Sequence, residues 1–168
     1  MLVSKLAAGS RPQLQDQAVA QVGELSLEIG NSDAIVASGA IPALVQLLSS
    51  GRHHSTCNAV TTLGNLDGSP TNAHAIVLAG AIPSMVQLLQ SSSPELQGRT
   101  VGALVALSRA AADFQGDSSR LIAGAISPLT QLLGKGSPPS VQEKSCAALF
   151  NLAHSDFLTW YIVSVGAV

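Results

Sequence analysis

The chain has 168 residues, 11% of them charged and 3% aromatic, with a net charge of −2. Its eight Lys and Arg are scattered without a basic run, which disfavours nucleic-acid binding, since that needs a concentrated positive face. The longest nearly apolar stretch, Leu158 to Val168, is 11 residues, against the roughly 20 that span a bilayer, so no membrane insertion is expected. The first residues, MLVSKLAAGS, also lack the charged start and long apolar segment of a secretory signal. Cys57 and Cys146 stand far apart and read as small buried thiols, not as a disulfide.

In chain order, LVSKL at 2–6 looks like a worn copy of a segment that returns as LVQLL at 44–48, MVQLL at 85–89 and LTQLL at 129–133. AIVASGAIP at 34–42 matches AIVLAGAIP at 75–83 in seven of nine positions, and LIAGAISPL follows at 121–129. The glycines of the Gly-Ala pairs, Gly39, Gly80, Gly124 and Gly166, are spaced by 41, 44 and 42 residues. A third marker recurs as LGNL (63–66), LSRA (107–110) and LFNL (149–152). Three markers in step are the signature of a stacked repeat.

Residues 72–114 show how one unit folds. A short helix is expected from about Asn72, a plausible N-cap, to Ala79. Gly80 breaks it, because glycine tolerates the dihedrals of a sharp turn. Pro83 sits in the first turn of a second helix carrying Ile82, Met85, Val86, Leu88 and Leu89 as an apolar stripe. SSSPE at 91–95 is a stop-and-restart signal. A third, longer helix runs to about Ala112, with Leu96, Val101, Leu104 and Leu107 facing inward. No segment alternates strictly enough for a strand. One unit cannot bury its apolar face alone, so the units must stack as an open all-α solenoid.

A three-helix unit of about 42 residues, with Gly-Ala-Ile-Pro opening the second helix and Leu-x-Asn-Leu ending the third, resembles the armadillo repeat. The residues carrying this are Gly39 to Pro42, Gly80 to Pro83, Val45 to Leu48, Val86 to Leu89, Asn65 and Asn151. The resemblance implies a right-handed α-solenoid of three-helix repeats (an α-α superhelix) over residues 1–168. Its parts would be a partial unit at 1–30, units at about 31–71, 72–115 and 116–153, and a partial unit at 154–168. Both ends then fall inside a repeat. Two readings follow: a fragment of a longer array, or terminal apolar faces covered by a partner or by self-association. The family includes nuclear-import adaptors, β-catenin-like scaffolds, and vacuolar and ubiquitin-ligase repeat proteins.

The resemblance implies that the third helices line a groove for an extended peptide, with a Trp and, four residues later, an Asn on each. The Asn position holds Glu24, Asn65, Arg109 and Asn151, and the Trp position holds Ala20, Thr61, Val105 and Ala147. One turn earlier come Gln17, Asn58, Gly102 and Lys144, then Gln13, His54, Gly98 and Ser140. The third unit has a shifted GAIS-P, which leaves its register open by one residue. The expected groove residues are Glu24, Asn58, Thr61, Asn65, Val105, Arg109, Lys144 and Asn151. With no tryptophan, the groove lacks the ring faces that hold cationic side chains, which argues against a nuclear-import adaptor. Asn65 and Asn151 have two readings: backbone contacts to a peptide, or ties to the adjacent helix end.

No catalytic constellation is evident. His53, His54 and Cys57 are read as the polar start of a third helix, since a structural zinc site needs four ligands and no second cluster stands nearby in sequence. His154-Ser155-Asp156 is read as a helix-end loop, because adjacent residues cannot form a catalytic relay. Gly134-Lys135-Gly136-Ser137 lacks the preceding glycine of a phosphate-binding loop and reads as a flexible connection. Trp160 and Tyr161 read as filling for an interface with a next repeat. The function expected is therefore a non-catalytic protein-binding scaffold without cofactor or metal, in the cytoplasm or also the nucleus. The alternative is the substrate-recruiting part of a larger ubiquitin ligase or of a trafficking or vacuolar protein.

Overall fold

The computed structural model describes residues 3–6, 10–28, 30–50, 52–110, 117–134, 136–154, 158–160 and 163. A 3-10 turn at Val3–Lys5 precedes α1 (Pro12–Leu25). Three triplets follow: α2 (Asn31–Ala37), α3 (Ala40–Leu48) and α4 (His53–Asn65); α5 (Pro70–Leu78), α6 (Ala81–Leu88) and α7 (Pro94–Ser108); α8 (Asp117–Ala123), α9 (Ile126–Gln131) and α10 (Pro139–Leu152). No strand occurs among the described residues. The long helices pack side by side in the order α1, α4, α7, α10, and the short helices stack behind them as α2–α5–α8 and α3–α6. An open, all-α solenoid results.

Local chemistry sets the helix limits. Gly39 and Gly80 adopt the left-handed conformation, φ +80° and +84°, which an L side chain would resist. The 86° bend between α2 and α3 is made there. Pro12, Pro70, Pro94 and Pro139 open their helices at the first position, where a missing N–H leaves no bond unmade. The Ser93 hydroxyl accepts from Leu96 N–H at 3.3 Å and caps α7, as the SSSPE signal suggests. Asn72 is not a cap. Ser69 caps α5 and accepts from the Asn72 N–H. The Asn72 side chain is buried and donates to Asp33 of α2 at 2.7 Å.

The third triplet breaks the glycine rule for a reason its sequence contains. In GAISP the proline stands one place later than in GAIP. Were α9 to start at Ala125, Pro128 would sit fourth and lack the N–H for the first intrahelical bond. The helix starts instead at Ile126, Ala125 becomes the N-cap in the right-handed region, and Leu129 N–H makes that first bond to Ala125 O at 3.0 Å. No left-handed glycine is required at this turn.

The core settles the register of α7 against α4. In α4 and just beyond it, residues 56, 57, 59, 60, 62, 63 and 66 are buried, and 44 residues on so are 100, 101, 103, 104, 106, 107 and 110. Arg109 therefore corresponds to Asn65. The expected inward residues Leu96, Val101, Leu104 and Leu107 are all buried, as are Ile82, Met85 and Leu89, with Val86 and Leu88 packed against them. Each such side chain contributes about 1.5–3 kcal/mol by leaving water. The helix ends at Ser108 with Arg109 as its cap, short of the expected Ala112, which lies outside the described residues. One thiol reading needs correction: Cys57 is buried, but Cys146, on α10, is exposed.

Candidate functional site

The face formed by the long helices carries a depression of about 510 Å³, lined by the C-terminal half of α4, by α7 from Gly98 onward, and by Ser26, Leu27, Asp67 and Lys144. Two glycines shape its floor. Gly98 and Gly102 lie one turn apart on α7 and both line it. A glycine inside a helix costs about 0.8–1 kcal/mol relative to alanine, so packing would ordinarily have to justify it. Here packing does not. A Cβ at Gly102 would meet nothing within 4 Å, and one at Gly98 would only touch Val141 Cγ2 at 4.0 Å. Gly64 is the opposite case: a Cβ there would meet the Ala103 Cα at 3.0 Å. It lets α4 and α7 approach closely.

Polar side chains bridge successive repeats around this floor. Arg109 pairs with Asp67 at 2.8 Å. Arg99 donates to the Thr61 hydroxyl at 3.0 Å and pairs with Glu95 at 3.0 Å. The Asn65 amide donates to the Ser26 hydroxyl at 3.0 Å, across the α1–α4 seam. The Asn151 amide donates to the Ser108 hydroxyl at 3.2 Å and to the Val105 carbonyl at 3.4 Å, across the α7–α10 seam. Both asparagines thus tie a long helix to the end of its predecessor. Each amide still has further donor and acceptor capacity.

Of the residues expected in the groove, Thr61, Asn65, Arg109 and Lys144 line this one depression. Glu24 lies elsewhere, beside a smaller hollow of about 300 Å³ with Gln21, Leu25 and Glu28. Val105 and Asn151 meet each other at the next seam, and the Asn58 carbonyl accepts from the Thr62 hydroxyl within α4. Sequence reasoning missed Arg99 and Asp67. The signal for them is the stacking distance: Arg99 reaches Thr61 38 residues back, and Arg109 reaches Asp67 42 residues back. Each is about one repeat.

At the N-terminal ends of the same helices lies a second cluster. His53 Nε2 is 3.3 Å from Glu95 Oε2, and Cys57 Sγ is 3.7 Å from His53 Nε2. Hydrogen bonds from His53 and then Arg99 hold the Glu95 carboxyl below the usual carboxylate range. Burial pushes the Cys57 thiol up, Glu95 adds to this, and Arg99 opposes it. One seam earlier, Arg52 pairs with Asp16 at 2.9 Å and donates to Gln15, while Ser55 also donates to Asp16.

The remaining sequence candidates are separate from both clusters. His154 donates from Nδ1 to the Phe150 carbonyl at 3.0 Å, while Ser155 and Asp156 lie outside the described residues. Trp160 is exposed, and Tyr161 and Lys135 also lie outside them. Among the described residues, no single helix is long and apolar enough to cross a membrane.

Comparison with known proteins agrees with this geometry. The armadillo/beta-catenin-like repeat model matches residues 29–66 and 120–154. A crystal structure of an engineered protein superposes with a TM-score of 0.86 at 27% identity, over 99% of this chain and 67% of that one. Computationally designed armadillo repeat proteins for modular peptide recognition give 0.85 at 23% identity, over 99% and 69%. A designed armadillo repeat protein in complex with the peptide (KR)4 gives 0.85 at 24% identity, also over 99% and 69%. No curated protein sequence matches the chain.

Proposed function

We propose that this chain, which belongs to the armadillo-repeat family, is a non-catalytic scaffold that holds an extended polypeptide against the face formed by its long helices. The observation carrying this reading is the pair Gly98 and Gly102. They lower helix propensity, packing at those positions does not need them, and they form the bare floor of a depression edged by Asn65, Arg99, Arg109 and Lys144. A floor without side chains admits a peptide backbone closely. The rim offers amide and guanidinium groups that hydrogen-bond its carbonyls, each such bond contributing on the order of 1 kcal/mol net.

The recognition chemistry differs from ring-face capture of cations. The positions aligned with the family's tryptophan hold Ala20, Thr61, Val105 and Ala147. Arg99, Arg109 and Lys144 make the rim predominantly cationic, with Asp67 the acid among the lining residues. A segment with acidic or carbonyl-rich side chains suits this rim better than a basic one. The designed relative was solved with a basic peptide, and the reading here is that this groove prefers the other sign.

The experiment is a selection of extended peptides from a displayed random library against the full chain, followed by affinity measurement on variants. Arg109→Glu with Lys144→Glu should weaken the selected peptides by roughly tenfold or more, equivalent to about 1.4 kcal/mol. The fold should remain intact, since both side chains are exposed. Peptides of basic character, or peptides indifferent to these changes, would contradict the reading.

A further inference from the structure

We propose that His53, Cys57 and Glu95 form a binding site for a divalent metal ion of the zinc class, with three protein ligands and one position open to solvent. His53 and Cys57 lie four residues apart on one face of α4, and Glu95 comes from the first turn of α7. The three ligand atoms lie within 4.8 Å of one another.

The spacing fits tetrahedral coordination. With metal bonds of about 2.3 Å to sulfur and about 2.0–2.1 Å to nitrogen and oxygen, a tetrahedral site has N···O edges of about 3.3–3.4 Å and S···N edges of about 3.5–3.6 Å. The structure has 3.3 Å between His53 Nε2 and Glu95 Oε2, and 3.7 Å between Cys57 Sγ and His53 Nε2. Only the sulfur–carboxylate edge has to close further, by rotation of the exposed Glu95 side chain. Cys57 forms the buried floor, while His53 and Glu95 form the exposed rim through which an ion enters.

The neighbouring cation, Arg99, does not block the site. Its guanidinium grips Glu95 Oε1, at 3.1 Å from Nε and 3.0 Å from Nη2, leaving Oε2 on the His53 side. Such a hold on the far oxygen orients a ligating carboxylate. On binding, the Cys57 S–H bond breaks, its proton passes to solvent and the sulfur–metal bond forms. The mixed thiolate, imidazole and carboxylate set selects a borderline ion such as zinc over magnesium or calcium. Because its ligands come from two repeats, the bound ion would staple α4 to α7. The fourth position remains for water or for a side chain of a polypeptide lying along the same face.

Titration of the full chain with Co²⁺, then Zn²⁺, tests this. The expected result is a thiolate-to-cobalt charge-transfer band that saturates at one ion per chain and disappears when zinc displaces cobalt. The band should persist in Cys146→Ser and vanish in Cys57→Ser. Glu95→Gln and His53→Gln, at exposed positions that leave the core untouched, should each weaken binding by roughly tenfold or more. Zinc should also raise the melting temperature of the wild-type chain and not that of Cys57→Ser. Absence of the band, a band that follows Cys146, or affinity unchanged in both rim variants would overturn the proposal.

Discussion

The α4–α7 and α7–α10 seams join the same kind of helix at nearly the same repeat distance, but they are built differently. At the first seam, bare glycine meets backbone, Gly64 against Ala103. Three polar links cross it: His53 to Glu95, Arg99 to Thr61 and Arg109 to Asp67. At the second, the Asn151 amide reaches Ser108 and Val105, and the buried Ser145 hydroxyl has no partner among the described residues. Both candidate sites lie on the first seam. A repeat array is held by nearest-neighbour interfaces, so one seam can be specialised for chemistry while another mainly supports the stack.

The largest expected effect comes from closing the tight contact of the first seam. Gly64→Val forces α4 away from Ala103 and should lower stability by about 1–3 kcal/mol, measured by urea unfolding. A loss near zero would mean that the seam is looser than the contact implies.

Next is the defect of the second seam. Ser145 occupies the position held by Ala18, Ala59 and Ala103 in the other long helices, all buried. Its buried hydroxyl has no partner among the described residues, and such a group costs about 1–3 kcal/mol in desolvation. Ser145→Ala should therefore stabilise the chain by about 1 kcal/mol or more in the same measurement. Destabilisation would show that the hydroxyl has a partner.

A smaller effect is expected at the rim of the first seam. Asp67→Ala removes the pair with Arg109, whose side chain is 64% exposed, so the loss should stay below about 1 kcal/mol and shrink in salt. Its influence on bound peptides should be larger than its influence on unfolding, because it frees the Arg109 guanidinium.

The least is expected from acid titration of Glu95. Its folded carboxyl is held low, first by His53 and then by Arg99. The sign follows directly: its contribution is full above the unfolded carboxylate pKa, about 4.3, and is lost as pH falls through the lower folded value. The stability difference between wild type and Glu95→Gln should be flat near neutral pH and shrink only in acid. A difference that grew in acid would reverse the assignment.

These contrasts also show what the sequence made readable. The repeat, the glycine turns after α2 and α5, the inward stripe of α7 and the Ser-Pro start of that helix are local patterns with local causes, and each was expected. The errors came from longer range. Asn72 looked like a cap because the reading stopped at its own turn, whereas Asp33 of the preceding triplet holds it inside the helix. The contact of His53 with Glu95, 42 residues away, is likewise long-range and carried by no local pattern, while the reading of His53, His54 and Cys57 as the polar start of a third helix stands. The correspondence of Arg109 with Asn65 became firm only with the burial pattern of α4 and α7. Asn65 and Asn151 remained ambiguous because an amide at a helix end has the same spacing whether it faces a ligand or the preceding helix.

The central claim is that the glycine floor of the first seam exists to admit a polypeptide. Its most direct test is Gly102→Leu, measured for stability and for binding of a library-selected peptide. The Cβ there meets nothing within 4 Å and leucine restores helix propensity, so stability should hold or rise by up to about 1 kcal/mol, while peptide affinity falls roughly tenfold or more. Unchanged affinity in a stably folded Gly102→Leu chain would contradict the account.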